Sequence, residues 1–453
     1  MTFLTTDLIS RVDAVLPRAL ADLKALIAIP SVSSQPEHAA DVTASAEQIV
    51  AWLREIGCPD VKIVTEPVTP GGPDGKPAVI ASFPAPAGQP TVCLYAHHDV
   101  QPTGDPSKWT SAPFDAVERD GRLLGRGSAD DKGGVGAHLA VLRAFDGKPP
   151  IGVKLLIEGE EEIGSPSMQA IIDAHHDELA ADVFVIADSD NWEVGVPALT
   201  TTLRGIVDCV VEVATLDHGL HSGGFGGVVP DALTSLCRLL ATLHDDRGNV
   251  AIDGLKSSQA PDVDYPLDRL QAETQKLDGV QWIGDGSVAQ RSWNSPSCSV
   301  LAIDTTRIAD ASNTLIPSAR AKVSVRVAPG DTAANALASL SKHLLANAPW
   351  GAQVTVTDGS EGDPGIIPVD GPGAQATIAA LREAWGVDPV MMGQGGAIPL
   401  TSELQAAFPG AEVVVTAVAD PGSRTHSLDE SLDLGDWRNA VLAEAALLAG
   451  LTR

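Results

Sequence analysis

The chain has 453 residues, of which 44% are hydrophobic, 20% charged and only 4% aromatic. That composition excludes a disordered chain and supplies aliphatic side chains for two or three domain-sized units. Lys and Arg total 30 and Asp and Glu 59, a formal charge of −29, which disfavours nucleic acid and anionic membrane surfaces as partners and leaves open that some carboxylates hold cations.

Cys58, Cys93, Cys209, Cys237 and Cys298 are scattered and show no CxxC or CxH spacing, so buried free thiols are expected rather than a disulfide framework. The N-terminal segment lacks the basic patch, apolar run and cleavage site of an export signal. No apolar run reaches the ~18 residues of a membrane span. A soluble, cytoplasmic protein is expected.

In chain order, apolar residues at helical spacing predict a helix over 7–29, and TASAEQIVAWLREI predicts a second over 43–56 with a capping box at its start. Strand-like runs follow at 61–65, 78–83, 91–96, 152–158 and 182–187, with a helical stretch between the last two. Apolar strands alternating with helices predict an α/β layer with a mostly parallel sheet. From residue 204 the pattern changes to strand, helix, strand, strand, helix, strand, broken by a polar excursion over about 245–297. That order is ferredoxin-like. After about residue 370 the α/β pattern returns with AEVVVTAV as a strand and a final helix. The expected layout is one α/β domain in two pieces, 1–203 and 371–453, interrupted by an inserted α+β domain over 204–370.

Acids and histidines gather where strands end. TVCLYA runs into His97, His98 and Asp99, and alternation along a strand puts His97 and Asp99 on one face with His98 on the other. A carboxylate two residues beyond a ligand histidine suits a partner that orients the ring, although a surface histidine pair beside an acid has the same spacing. GRGSADDKGG places Asp130 and Asp131 among glycines, as a metal loop or a plain solvated turn would. KLLIEGEEEIGS crowds Glu158, Glu160, Glu161 and Glu162 beyond an apolar strand, which is repulsive without cations or protons unless the loop is simply solvated. Asp188 follows the strand DVFVIA, and His426 lies in a loop after AEVVVTAV. Ligands in α/β sheets collect beyond the carboxyl ends of strands. With His97, Asp130, Glu162, Asp188 and His426 as ligands, three carboxylates face two divalent ions and leave one positive charge for a bound hydroxide. Two imidazoles with carboxylates suit zinc, and manganese or cobalt fits the same set. Glu161 would then be free as general base.

The motifs AHHDVQP, GRGSADDKGG, EGEEEIGS, VIADSDNW and RTHSLDE, together with the interrupted layout, resemble the dinuclear zinc metallopeptidases that include carnosinases, cytosolic nonspecific dipeptidases, glutamate carboxypeptidases and aminoacylases. The dipeptidase branch is the most similar. The resemblance implies a zinc-peptidase-like catalytic domain interrupted by a lid and dimerisation domain. It implies two zinc ions per chain, one bound by His97 and Asp188, the other by Glu162 and His426, with Asp130 bridging and a cis peptide after it. It also implies that Asp99 orients His97 and that Glu161 is base and proton donor. DHGLHSGGFGG resembles the segment whose histidine, here His221, reaches a partner subunit's active site to stabilise the oxyanion. NTLIPSARAKVSVRV resembles the strand whose arginine, here Arg326, binds the substrate carboxylate. Gly396 and Ala397 in GQGGAIP are expected to line the substrate pocket, where Gln394 and Ala397 replace the branch's usual Glu and Ser.

The expectation is thus a homodimeric metalloexopeptidase that hydrolyses short peptides, above all dipeptides, through attack by a metal-bridging hydroxide. The alternatives are an N-acyl amino acid amidohydrolase with the same site and, more remotely, a non-catalytic metal-holding interaction protein.

Overall fold

The computed structural model describes residues 2–396 and 399–452. Its strands are β1 (Asp60–Val64), β2 (Ala78–Phe83), β3 (Thr91–His97), β4 (Gly152–Glu158), β5 (Val183–Ile186), β6 (Ala198–Leu203), β7 (Gly205–Ala214), β8 (Ser297–Asp304), β9 (Ser318–Val327), β10 (Gln353–Gly362) and β11 (Glu412–Val415), with further short pairings. The longer helices are α1 (Thr6–Ile27), α2 (Ala39–Ile56), α3 (Lys132–Ala144), α4 (Ala232–Ala241), α5 (Ala333–Ala346), α6 (Pro372–Trp385) and α7 (Leu434–Gly450). The chain divides into two compact units, one of residues 1–201, 367–392 and 400–453, the other of 202–366 and 393–399.

In the first unit the strand order is β1-β2-β4-β3-β5-β11-β6. β4, β3, β5 and β11 run parallel, whereas β1, β2 and β6 pair antiparallel at the flanks. The inner strands are buried on both faces, so they read as unbroken apolar runs such as Val92–Ala96. α1, α3 and α7 pack together against this sheet over Leu23, Leu26, Val135, Leu139, Val441 and Leu448. The start of α2 differs from the expected one. A 3-10 turn at Pro36–His38 leads into the helix at Ala39, and Thr43 lies inside it with its hydroxyl donating to Ala39 O. The proline at the first position of that turn sets the entry, four residues before the capping box.

The second unit is a four-stranded antiparallel sheet, β8-β9-β7-β10, with α4 and α5 packed on its apolar face. Its element order is ferredoxin-like, and the excursion between α4 and β8 carries a short helix, Leu267–Thr274. All five cysteines are free, four of them buried. Among the described residues no helix is long and apolar enough to cross a membrane.

One buried polar contact joins three elements of the first unit. His138 on α3 has Nδ1 2.7 Å from the Glu444 carboxylate on α7 and Nε2 3.1 Å from Tyr95 O on β3. Both partners are acceptors, so an imidazolium with two N–H donors satisfies them together. Burial opposes that charge, but Glu444 outweighs it and raises the His138 pKa above its usual value. A raised folded-state pKa contributes stability that is present below pH ~6.5 and lost as the pH climbs through the raised value. Glu444→Gln should therefore lower stability by about 3–5 kcal/mol at pH 6, because the buried cation is left unpaired. The loss should shrink as the pH rises and His138 becomes neutral. Urea unfolding curves of both proteins at pH 6 and pH 9 measure this; an equal loss at both pH values would contradict it.

Candidate metal centre

The parallel register brings the chemistry together. His97 stands opposite Glu158 at the ends of β3 and β4, and Tyr95 opposite Ile186 of β5. Asp188, two residues past Ile186, therefore emerges level with His97. Asp130 arrives on the loop before α3, whose first turn is capped by Asp131: Oδ1 accepts from Gly134 N, and Oδ2 accepts from His97 N at 3.2 Å. The Asp130–Asp131 peptide is cis. Gly127 in this loop takes a left-handed conformation (φ 84°). Gly133 is required by a close approach instead, since a Cβ there would lie 2.5 Å from Ser128 O.

Asp130 sits between two imidazoles. Its Oδ1 lies 3.0 Å from His97 Nε2 and its Oδ2 2.9 Å from His426 Nε2. Glu162 Oε2 is 3.1 Å from His426 Nε2, Asp188 Oδ2 3.9 Å and Glu161 Oε2 4.0 Å from His97 Nε2. Potential ligand atoms of His97, Glu161 and Asp188, and of His97, Asp130 and Glu162, each fall within 4.8 Å of one another. Ligand atoms around a tetrahedral zinc with bonds of ~2.0–2.1 Å lie about 3.3–3.5 Å apart. The spacings bracket that value, so the donor set fits a pair of cations.

The electrostatics point the same way. Burial, and then the negative charges of Asp188, Glu162 and Asp130, push Glu161 up to about 9 against the pull of His97. Burial and the same crowding push Asp188 up to about 7. Contacts with Asp130 and Glu162 raise His426 to about 10. Burial opposes a charge on Asp130, yet hydrogen bonds from His426 and His97 hold its carboxyl below the usual range. This pocket is short of positive charge, a deficit that divalent cations would fill.

Neighbouring groups hold these side chains in place. Asp99 is fully buried and accepts the backbone N–H groups of Glu161 and Glu162 at 3.2 Å each. His97 Nδ1 lies 3.0 Å from Asp99 O and 3.4 Å from the Asp99 carboxylate. His98 points away and contacts Pro77 O at 2.9 Å. The four glutamates divide. Glu158 accepts from Tyr95 Oη at 2.6 Å, and Glu160 accepts the N–H groups of Lys76 and Ser167. Only Glu161 and Glu162 reach the cluster.

Gln101 was not apparent from sequence. Its backbone N–H donates to Glu162 Oε1 at 3.1 Å and its amide to Glu162 Oε2 at 2.7 Å. Glu430 was missed as well: its carboxylate accepts the N–H groups of Gly127, Ala129 and Asp130. Both lie inside the motifs AHHDVQP and RTHSLDE, but their roles were not read from them, because the groups they hold sit on loops distant along the chain.

The remaining candidates belong to the second unit. Exposed His221 accepts the N–H groups of Gly223 and Gly224 on Nδ1, which leaves Nε2 to carry the proton in the neutral ring. Arg326 on β9 stands opposite Ser297 and Ile206, half-buried, and burial lowers its pKa. Arg204, another residue the sequence did not reveal, donates to Ser297 Oγ at 3.1 Å and Gly395 O at 3.3 Å. Among the described residues no carboxylate pairs with either arginine. Gly396 is exposed with open space around its Cα. Ala397 lies outside the described residues.

Known proteins resemble this chain along nearly its whole length. The chain is 36% identical over 438 residues to the cysteinylglycine-S-conjugate dipeptidase of Corynebacterium striatum, covering 95% of each. It is 28% identical to the Cys-Gly metallodipeptidase of Saccharomyces cerevisiae, covering 99% of this chain and 98% of that one. Among solved structures, the yeast dipeptidase Dug1p superposes with a TM-score of 0.85 at 24% identity over 100% of this chain and 99% of that one. Human carnosine dipeptidase 1 superposes with 0.82 at 24% over 98% of each. The sequence profile of peptidase family M20/M25/M40 matches residues 93–450, and the chain belongs to that family.

Proposed function

We propose that the chain is a metallodipeptidase that cleaves unblocked dipeptides with two zinc ions. The observation that carries this reading is the Asp130 carboxylate held between His97 and His426, with Glu161 beside it. His97 and Asp188 would hold one ion, Glu162 and His426 the other, and Asp130 both. When bound, the ions would polarise the scissile carbonyl and make a water acidic enough to react near neutral pH. Glu161 would accept the proton of the attacking water at Oε2 and deliver it to the departing amine. Arg326, half-buried and without an acidic partner among the described residues, would take the terminal carboxylate as a bidentate fork. The tautomer of His221 leaves its Nε2–H free to donate to the developing oxyanion.

The inserted unit, 204–370 in our reading, would act as lid and dimerisation domain of a cytoplasmic homodimer. Its β8 is an edge strand that exposes Val300, Leu301 and Ile303. An apolar edge of this kind is suited to pairing with a second copy.

Zinc-reconstituted protein should contain two zinc ions per chain and hydrolyse Cys-Gly-type dipeptides far faster than N-acyl amino acids, with activity abolished by chelator. Metal analysis coupled to that substrate panel tests it; one ion per chain, or preference for the acylated substrates, would overturn it. Glu161→Gln should lower kcat by roughly 10²–10⁴-fold with zinc content unchanged, read by steady-state kinetics beside metal analysis. Leu301→Asp with Ile303→Asp should yield monomers with at least tenfold lower kcat, since His221 would lose its partner site. Fully active monomers in sedimentation and kinetic measurements would remove His221 from the mechanism.

A further inference from the structure

We propose that the buried Arg126–Glu430 pair is a positioning device that locks the Asp130 loop to the His426 loop and sets how tightly the centre holds its second cation. The inference rests on the two-cation reading above and adds two residues to it.

Glu430 is completely buried and Arg126 nearly so. On the carboxylate, Oε1 accepts Ala129 N at 3.0 Å and Asp130 N at 3.1 Å, while Oε2 accepts Gly127 N at 3.1 Å and Arg126 Nη1 at 2.6 Å. Four donors converge on one side chain, and only an ionised carboxylate has acceptor sites for all of them. A glutamine would aim its NH₂ at two N–H donors. The Glu430 backbone carbonyl adds a fifth contact, accepting Gly125 N at 2.9 Å. The loop that presents Asp130 is therefore tied along its length to residue 430, four positions beyond His426.

Arg126 completes the link. Its Nη2 donates to Ser427 O at 3.1 Å and to Pro102 O at 3.3 Å, and its guanidinium lies over the Trp109 ring. Ser427 adjoins His426, and Pro102 adjoins Gln101, the donor to Glu162. One ion pair thus spans the three segments that position Asp130, His426 and Glu162. His426 is held in the left-handed region (φ 60°), a conformation that persists only where surroundings impose it. A buried ion pair contributes little to stability relative to apolar residues of the same volume, so simple anchoring does not account for this choice of side chains. Fixing ligand geometry does.

The test compares zinc binding with folding. The double variant Arg126→Met with Glu430→Gln removes both charges together, and Arg126→Lys keeps a cation opposite Glu430 while losing the fork to Ser427 and Pro102. Zinc affinities come from competition with a chromophoric chelator, ligand geometry from the visible spectrum of the cobalt-loaded protein, and folding from melts of the metal-free protein. Glu444→Gln, destabilised at a side chain that contacts neither the Asp130 loop nor the His426 loop, is the control. In both Arg126 variants one of the two zinc ions should bind about 10–100-fold more weakly, with an altered cobalt spectrum, while the control keeps wild-type affinities. Affinities within twofold of wild type in the folded variants, or an equal loss in Glu444→Gln, would overturn the inference. If the double variant does not fold, Arg126→Lys decides by the same criteria. Wild-type protein that binds fewer than two zinc ions would overturn the underlying reading and the inference with it. Two ions in wild type and unchanged variants would overturn the inference alone.

Discussion

The carboxylates at the ends of the parallel strands can be buried together only where positive charge compensates them. Asp130, Glu161, Glu162 and Asp188 share a space whose nearest cationic groups are the imidazoles of His97 and His426. Those two rings are insufficient. Glu161 and Asp188 are still pushed up to about 9 and about 7, which is the signature of a site short of charge. Everything around the cluster serves to keep these groups in a place they would otherwise leave. The register of β3, β4 and β5 delivers them, and hydrogen bonds donated by Gln101 and accepted by Asp99 and Glu430 hold their carboxylates and backbones.

This arrangement also explains why so many charged side chains near the site are not ligands. Asp131 caps α3 and fixes the N–H of His97, Glu158 receives Tyr95, and Glu160 gathers Lys76 and Ser167. Each buried carboxylate has donors, as burial demands. Crowded acids in a sequence can therefore signal scaffolding as much as ligation.

Much of this was legible along the chain. The strands end in His97, Glu158 and near Asp188 as their apolar runs suggest, and two-residue alternation separates His97 from His98. Where local pattern decided the outcome, the reading agreed closely. It singled out Glu161 and Glu162 but did not extend to what Glu158 and Glu160 hold, because the turn after β4 sets which way each points. Nor did it extend to the start of α2, where Pro36 outweighed the capping pattern at Thr43. Gln101 and Glu430 sit inside recognisable motifs and Arg204 in none, but no local pattern tells what any of the three holds. Their partners lie as far as 304 residues away along the chain.

From the sequence alone came the α/β grammar, the interruption by a ferredoxin-like segment, and the set of acids and histidines at strand ends, since these depend on periodicity and on which residues follow an apolar run. Tertiary structure alone decided which of those groups meet. It placed one carboxylate between two imidazoles and closed three loops around it through Arg126 and Glu430. Convergence of this kind is a property of strand register and of contacts between segments hundreds of residues apart, which no local pattern encodes.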